Sequence, residues 1–255
     1  MSNCNICNGI QMIFFEKDGH RFAKDCECKT TIMLERRMKA ANIPGRYEHV
    51  ELENYETGFE GCTDTQKSAA RYSKMFVDDW ILSKDKGLIY LGNVGSGKTH
   101  LAIGVLKALI RLGASGVFYD QHQLLSLLRQ SYEVESKFEE SDVLVPAAKR
   151  DVLVLDDLGA LELTEWGKER LVTLLNERYN NRLVTIITSN YKLEESRVMR
   201  DPFEDPKPYS QGKQSLFTLG DRVTNRMVDR LHQMCVPVMV VGRGSFRAGA
   251  GRAHS

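Results

Sequence analysis

The octapeptide Gly92-Asn93-Val94-Gly95-Ser96-Gly97-Lys98-Thr99 has the spacing G-x-x-x-x-G-K-[ST], which binds the phosphates of a nucleoside triphosphate. Glycines in such a loop let backbone N–H groups wrap a phosphate along a path that most side chains would obstruct. A helix starting at Lys98 adds the partial positive charge of its N-terminus. Lys98 is expected to reach the β- and γ-phosphates and the Thr99 hydroxyl to ligate Mg²⁺. The flanks separate this loop from a chance glycine-rich turn: the apolar run GLIYLG (87–92) precedes it, and the amphipathic LAIGVLKALIRLG (101–113) follows. ATP and Mg²⁺ are the cofactors implied.

Two more polar groups fall at strand ends. VLVLDD (152–157) is aliphatic until Asp156 and Asp157. Asp156 is assigned to the magnesium ion and Asp157 to orienting and polarising the attacking water. VTIITSN (184–190) ends at Asn190, whose amide would emerge at the same sheet edge, beside the water or the γ-phosphate. In LGDRVTNRMVDRL, Arg222, Arg226 and Arg230 recur along one helix face. Their spacing fits equally a solvated stripe paired with Asp221 and Asp229 and an arginine finger aimed at a neighbouring subunit's phosphate.

A third constellation is thiol chemistry. Cys4-x2-Cys7 and Cys26-x-Cys28 are two tight pairs within the first 30 residues, the donor set of tetrahedral Zn²⁺ in a segment too short to build a core without a staple. Free thiols are the competing reading, and His20 is an alternative fourth ligand. Cys62 and Cys235 lie far apart and read as structural. Six cysteines without a leader-like N-terminus, and no window near the ~18 apolar residues of a membrane span, point to a cytoplasmic protein with no membrane partner. The formal net charge is +1, from 35 basic and 34 acidic residues. Any contact with nucleic acid must therefore come from a local groove rather than an overall field.

These groups need elements to hold them. A short basic helix is expected over 31–41, stopped before Pro44, and an aperiodic linker over 46–65. Helix (66–83), strand (87–92), helix (101–113), strand (116–120), a helical stretch (121–150) broken at Pro146, strand (152–157), helix (164–181) capped by Thr164, strand (184–190), a proline-rich loop (199–218), helix (221–234) and strand (236–241) follow. The alternation implies an α/β fold with a parallel sheet covered on both faces. The expected divisions are a zinc-binding domain over 1–45, the linker, an ATPase domain over 66–242 and a tail over 243–255.

Taken together, GNVGSGKTHLA, VLVLDDLG, TEW, NERY, TSN, LGDRVTNRMVDRL, the closing GRGSFR and the N-terminal CNICNG…CEC with IPGRY resemble the bacterial and phage helicase loaders of the DnaC/DnaI type, within the AAA+ ATPases and related to IstB-type ATPases. The resemblance covers nearly the whole chain. It implies a RecA-like sheet with nucleotide between subunits, self-association into a ring or spiral (a hexamer on the helicase), and slow, switch-like hydrolysis. It also implies two partners: a DnaB-type replicative helicase gripped mainly by the N-terminal region, and single-stranded DNA. Arg226 falls at the family's trans-acting arginine, and Arg230 at the nucleotide-facing arginine that follows. Tyr132, Thr164 and Trp166 match positions implied to touch DNA, with packing beneath its own helix the alternative for Trp166. Two departures stand out: the acid pair is Asp-Asp where many loaders have Asp-Glu, and the 199–218 loop is long. Three other readings use the same residues: an IstB-type transposition helper, against which the cysteine pairs weigh, a small-molecule kinase, and a zinc-containing nucleic-acid-binding module with an inactive ATPase.

Overall fold

An antiparallel hairpin, β1 (Met12–Lys17) and β2 (His20–Asp25), begins the chain, and α1 (Glu27–Ala40) follows it. The hairpin turns on Asp18 and Gly19, both at positive φ (53° and 75°), the chemistry of a two-residue type I′ turn. The computed structural model describes residues 4–80, 86–132, 139–193 and 218–243. The proline-rich segment lies outside these except for Thr218, which N-caps the helix after it; the closing Ser-Phe-Arg and most of the C-terminal tail lie outside them too.

The remaining elements are α2 (Asp64–Asp78), β3 (Gly87–Leu91), α3 (Lys98–Arg111), β4 (Gly116–Asp120), α4 (Gln121–Gln130), α5 (Glu140–Lys149), β5 (Val152–Asp156), α6 (Glu165–Asn180), β6 (Val184–Ser189), α7 (Leu219–Arg222), α8 (Asn225–Met234) and β7 (Cys235–Met239). The last five strands form one parallel sheet in the order β4-β5-β6-β3-β7. Strands β3, β5 and β6 are buried throughout. Alternate residues feed two cores: Leu88, Tyr90, Val152, Val154 and Ile186 pack with α3 and α2, and Ile89, Leu91, Leu153, Leu155 and Ile187 with α4, α5, α6 and α8. Each such buried aliphatic contributes about 1.5–3 kcal/mol, which is why these runs are mostly aliphatic until their ends; Thr185 in β6 is an exception, bonded to Arg178.

Several boundaries differ from the sequence expectation. A Thr63–Gln66 capping box starts α2 earlier than residue 66 and the helix ends at Asp78. The stretch 121–150 holds two helices, and Pro146 lies inside the second rather than breaking it. The segment 221–234 divides at Val223 and Thr224, where the Thr224 side chain accepts from Met227 N–H and caps α8.

The two outer strands are covered at specific points. Phe118 N–H in β4 donates to Ala41 O at 2.8 Å, and the Asn42 amide donates to Phe118 O at 2.9 Å. Beyond β7, Val241 N–H donates to Thr65 Oγ1, and Val241 O accepts from both Thr63 and Thr65 hydroxyls.

Candidate functional site

Strand order fixes the site. β3 lies between β6 and β7 while its sequence neighbour β4 is at the far edge, so the chain reverses direction across the sheet at β3, the place where open α/β sheets bind ligands beyond their strand ends. The loop from β3 into α3 is the phosphate loop, with Gly92, Gly95 and Gly97 all at positive φ. A Cβ on Gly92 would stand 2.0 Å from Val240 O, so glycine is required there for packing as well as for conformation.

Lys98 is 5% exposed, and its ammonium donates to Gly92 O (2.9 Å), Asn93 O (2.8 Å) and Asn190 Oδ1 (2.8 Å). The Asn190 amide nitrogen in turn approaches Asp157 Oδ1 at 3.5 Å. Lys98, Asn190 and Asp157 thus form one polar chain from phosphate loop to acid, brought together from three strand ends. Thr99 Oγ1 donates to Asp156 at 2.9 Å, and Thr188 Oγ1 donates to Asp156 Oδ1 at 2.6 Å. Burial pushes the Asp156 carboxyl above the usual carboxylate range, against the pull of the Thr188 hydroxyl. A divalent cation at Thr99 and Asp156 would favour the ionised form, so the donor set fits Mg²⁺. Asp157 sits at φ 54°, a left-handed conformation held by a 2.9 Å bond from its N–H to Thr188 Oγ1, which turns it out of the strand beside Asn190.

A cavity of about 440 Å³ opens here, lined by Val94 to Thr99, Asp157 and Asn190 on one side and by Tyr47, Val50, Tyr55 and Phe59 on the other. The second wall belongs to the segment read as a linker. It lies across α3 because one face of that helix is made to receive it. His100 Nε2 bonds Glu51 O (2.9 Å), Leu52 backbone abuts Gly104, Lys107 donates to Glu48 O and Val50 O (2.8 Å each), and Arg111 clamps the Glu51 carboxylate through both terminal nitrogens at 2.7 Å. Arg111, then Lys107, hold that carboxyl below its usual range. Tyr55 lies over the phosphate loop: its hydroxyl donates to Ser96 O at 3.1 Å, and its ring would meet a Cβ on Gly97 at 2.7 Å. Residues 100, 104, 107 and 111 recur at helical spacing, so this stripe was present in the sequence; it went unread because its partners are backbone carbonyls rather than a periodic apolar face.

The arginines part company. Arg222 donates to Tyr191 OH at 2.8 Å, and Arg230 lies 4.5 Å above the Tyr179 ring and donates to Asn176 Oδ1 at 3.2 Å, so both are tied within the chain. Arg226 is exposed and makes no hydrogen bond or ion pair among the described residues. Neither Arg226 nor Arg230 lines the cavity. Tyr132 and Trp166 meet edge-to-face at 6.2 Å, with Arg129 and Arg170 over the Trp166 ring at 5.6 Å and 6.0 Å. Thr164 N-caps α6, accepting from Gly167 N–H at 3.2 Å.

The four N-terminal cysteines converge, all sulfurs within 4.8 Å of one another, with Cys4–Cys26 at 3.8 Å and Cys7–Cys28 at 3.4 Å. A tetrahedral Zn–S bond of ~2.3 Å sets sulfurs about 3.8 Å apart. Backbone N–H groups of Cys7 and Ile6 lower the Cys4 thiol to about 6, while the Cys7 thiol beside it pushes Cys28 up. Four thiolates this close repel unless a cation lies between them, so the cluster fits a metal such as zinc. His20 sits at the hairpin tip, paired with Lys17, and is not part of the group.

The fold and site define a P-loop nucleotide-binding protein of the AAA+ class. The sequence profile of the IstB-like ATP binding protein family matches residues 10–207, and the chain belongs to that family. The matched region begins after Cys4 and Cys7, so these cysteines do not weigh against membership. The chain is 25% identical to an insertion sequence IS232 putative ATP-binding protein of Bacillus thuringiensis over 84% of this chain and 74% of that protein. It is 24% identical to the replicative helicase loader DnaC of Escherichia coli over 64% of each. A crystal structure of the DnaC helicase loader superposes with a TM-score of 0.60 at 29% identity, covering 77% of this chain and 99% of that one. The chain spans just under two thirds of several curated relatives, including 64% of an uncharacterized Bacillus subtilis protein, YqaM, to which it is 26% identical over 88% of its own length. No described helix is long and apolar enough to cross a membrane.

Proposed function

We propose that this chain is an ATP-controlled loader that places a DnaB-type hexameric helicase on single-stranded DNA. The observation that carries this reading is a division in the nucleotide site. The cavity has a phosphate loop, a cation-binding pair and an acid–amide pair, yet no arginine is among its described lining residues, and Arg226 stands exposed on α8 without a partner among the described residues. Such a site is completed by a second copy, as in a ring or spiral. The 29% identity to a DnaC helicase loader over that whole chain supports the same class.

Thr99 and Asp156 would hold Mg²⁺, which draws charge from the phosphate oxygens. Lys98 exchanges the carbonyls of Gly92 and Asn93 for the β- and γ-phosphates. Asp157 polarises the attacking water and Asn190 orients it. Arg226 of a neighbouring copy meets the charge developing on the γ-phosphate. Arg230 is the second arginine proposed to face nucleotide, and it would have to leave Tyr179 and Asn176 of α6 to reach it. Zinc on Cys4, Cys7, Cys26 and Cys28 shapes the N-terminal unit that grips the helicase, and Tyr132, Thr164 and Trp166 mark the ATPase surface that meets DNA.

Co-purification with the replicative helicase of the source cell is the test. Retention by full-length protein, lost on deleting residues 1–45, supports the reading; no retention in any nucleotide state overturns it. Mixing Arg226→Ala with Lys98→Ala tests the trans arginine, because a mixed interface pairs an intact loop with an intact arginine and hydrolysis returns. The family match and the IS232 relative favour a second reading, an IstB-type transposition helper, which predicts capture of a transposase in place of the helicase.

A further inference from the structure

The N-terminal hairpin has two faces of opposite character. Antiparallel register places Ile13 with Lys24, Phe15 with Phe22 and Lys17 with His20 on one face; Met12 with Asp25, Phe14 with Ala23 and Glu16 with Arg21 are on the other. Both acids of the two strands, Glu16 and Asp25, are therefore on the second face, and the first has none. On the acid-free face the Phe15 and Phe22 rings stack with centroids 5.6 Å apart and an interplanar angle of 23°. They remain 42% and 45% exposed, far more than a stacked pair serving as a core would be. Lys17 and Lys24 are exposed and make no ion pair among the described residues, whereas Asp25, on the other face, is paired with Lys29 at 2.8 Å.

We infer that this face binds single-stranded nucleic acid. An exposed aromatic pair flanked by unpaired cations supplies what an unpaired strand offers: π-faces to stack and phosphates to neutralise. A two-stranded hairpin is marginal alone, but this one is clamped at its base by the cysteines, Cys26 N–H donating to Gln11 O at 2.9 Å and Gln11 N–H to Cys7 Sγ at 3.3 Å. The platform is thus rigid before the strand arrives. It lies on the N-terminal unit, apart from Tyr132 and Trp166, and stands whether the chain serves a helicase or a transposase.

The test is fluorescence anisotropy of full-length protein with a labelled (dT)20 oligonucleotide, without ATP, across a salt series. Lys17→Glu with Lys24→Glu should weaken binding at least tenfold at low salt and reduce the salt slope by about 1.4, the value for two lost contacts to a single strand. Phe15→Ala with Phe22→Ala should weaken it about tenfold with the slope unchanged. Glu16→Ala with Arg21→Ala, on the other face, should bind as wild type. Zinc content reports whether each variant keeps its fold; if the phenylalanine variant does not, the lysine variant alone decides. A 5-bromodeoxyuridine oligonucleotide should crosslink to a peptide spanning residues 12–25. Wild-type affinity and slope in the lysine variant overturn the inference. So does loss of protein-partner capture with DNA binding intact, which would make the face a protein-docking surface.

Discussion

The hairpin and the central sheet are both built from strands of five or six residues, yet they are stable for opposite reasons. In the hairpin every residue but Ile13 is exposed, and its order comes from four sulfurs at its base. In the sheet, β3, β5 and β6 are buried throughout, and order comes from apolar area on both faces. The difference shows that strand content says little about what would dissolve a strand: a ligand change removes one of these and a packing change the other.

The largest expected effect is that of losing the metal proposed at the four cysteines. Structural zinc contributes about 10–16 kcal/mol in small zinc peptides. Cys4→Ser with Cys7→Ser, or a strong chelator, should therefore open residues 4–26 to protease. The melting transition of the ATPase core should stay within about 3 °C, an effect near 1 kcal/mol at this chain length. Coincident loss of both would break the comparison.

Its counterpart at the sheet is Arg178 of α6, 0% exposed, whose guanidinium donates to Ala147 O (2.8 Å), Arg150 O (2.9 Å), Val184 O (2.5 Å) and Thr185 Oγ1 (3.0 Å). Burial lowers it to about 9. Arg178→Met strands those acceptors at the end of α5 and the starts of β5 and β6, a loss of about 3–5 kcal/mol, or ~10 °C in calorimetry. Zinc content should not change.

Chemistry at the sheet edge should be separable from both. Asp157→Asn should retain nucleotide affinity by titration calorimetry while single-turnover hydrolysis falls about 100- to 10,000-fold. Lys98→Ala should weaken affinity about 100-fold, the scale of one charge-assisted contact to phosphate. An Asp157→Asn protein that hydrolyses ATP at the native rate would remove that residue from the mechanism.

The smallest effects belong to the wall across α3. Tyr55→Phe removes one hydrogen bond to Ser96 O, about 1 kcal/mol, and should weaken nucleotide binding about fivefold. Burial lowers the His100 pKa below its ordinary 6.5, so the unfolded chain takes up that proton more readily. Its contribution is fully present above 6.5 and is lost as pH falls from there through the lower value of the folded state. His100→Asn should flatten the acid limb of a stability–pH profile measured by denaturant titration.

What the sequence made legible follows the same division. The parallel sheet, phosphate loop, Asp156, Asp157 and Asn190 could be read because buried strands are written as aliphatic runs and their ends as abrupt polarity. The wall over 46–59 could not, since Glu51 and Tyr55 are fixed by carbonyls, a guanidinium and an ammonium that keep no period. The hairpin is not legible although Asp18-Gly19 is a two-residue turn signal, because the adjacent Phe14 and Phe15 fall on opposite faces and break the apolar–polar alternation that a half-buried strand would show. Arg222, Arg226 and Arg230 were indistinguishable by spacing, and only their neighbours Tyr191 and Tyr179 separate them.

The contacts of Ala41 and Thr65 with the outer strands bear on how copies of this chain can meet. At β4 the outward N–H and C=O of Phe118 are both taken, by Ala41 and Asn42. At β7, Val240 N–H turns inward to Leu91 O, so by alternation residues 237, 239 and 241 turn outward. Pro237 has no N–H to give, and that of Val241 is held by Thr65. Continuation of the sheet into a second molecule, the route to open-ended fibres, is thereby hindered at both margins. If copies associate as proposed, side chains on helices and loops are the contacts left to them, the kind that nucleotide or a neighbour's arginine could make and unmake.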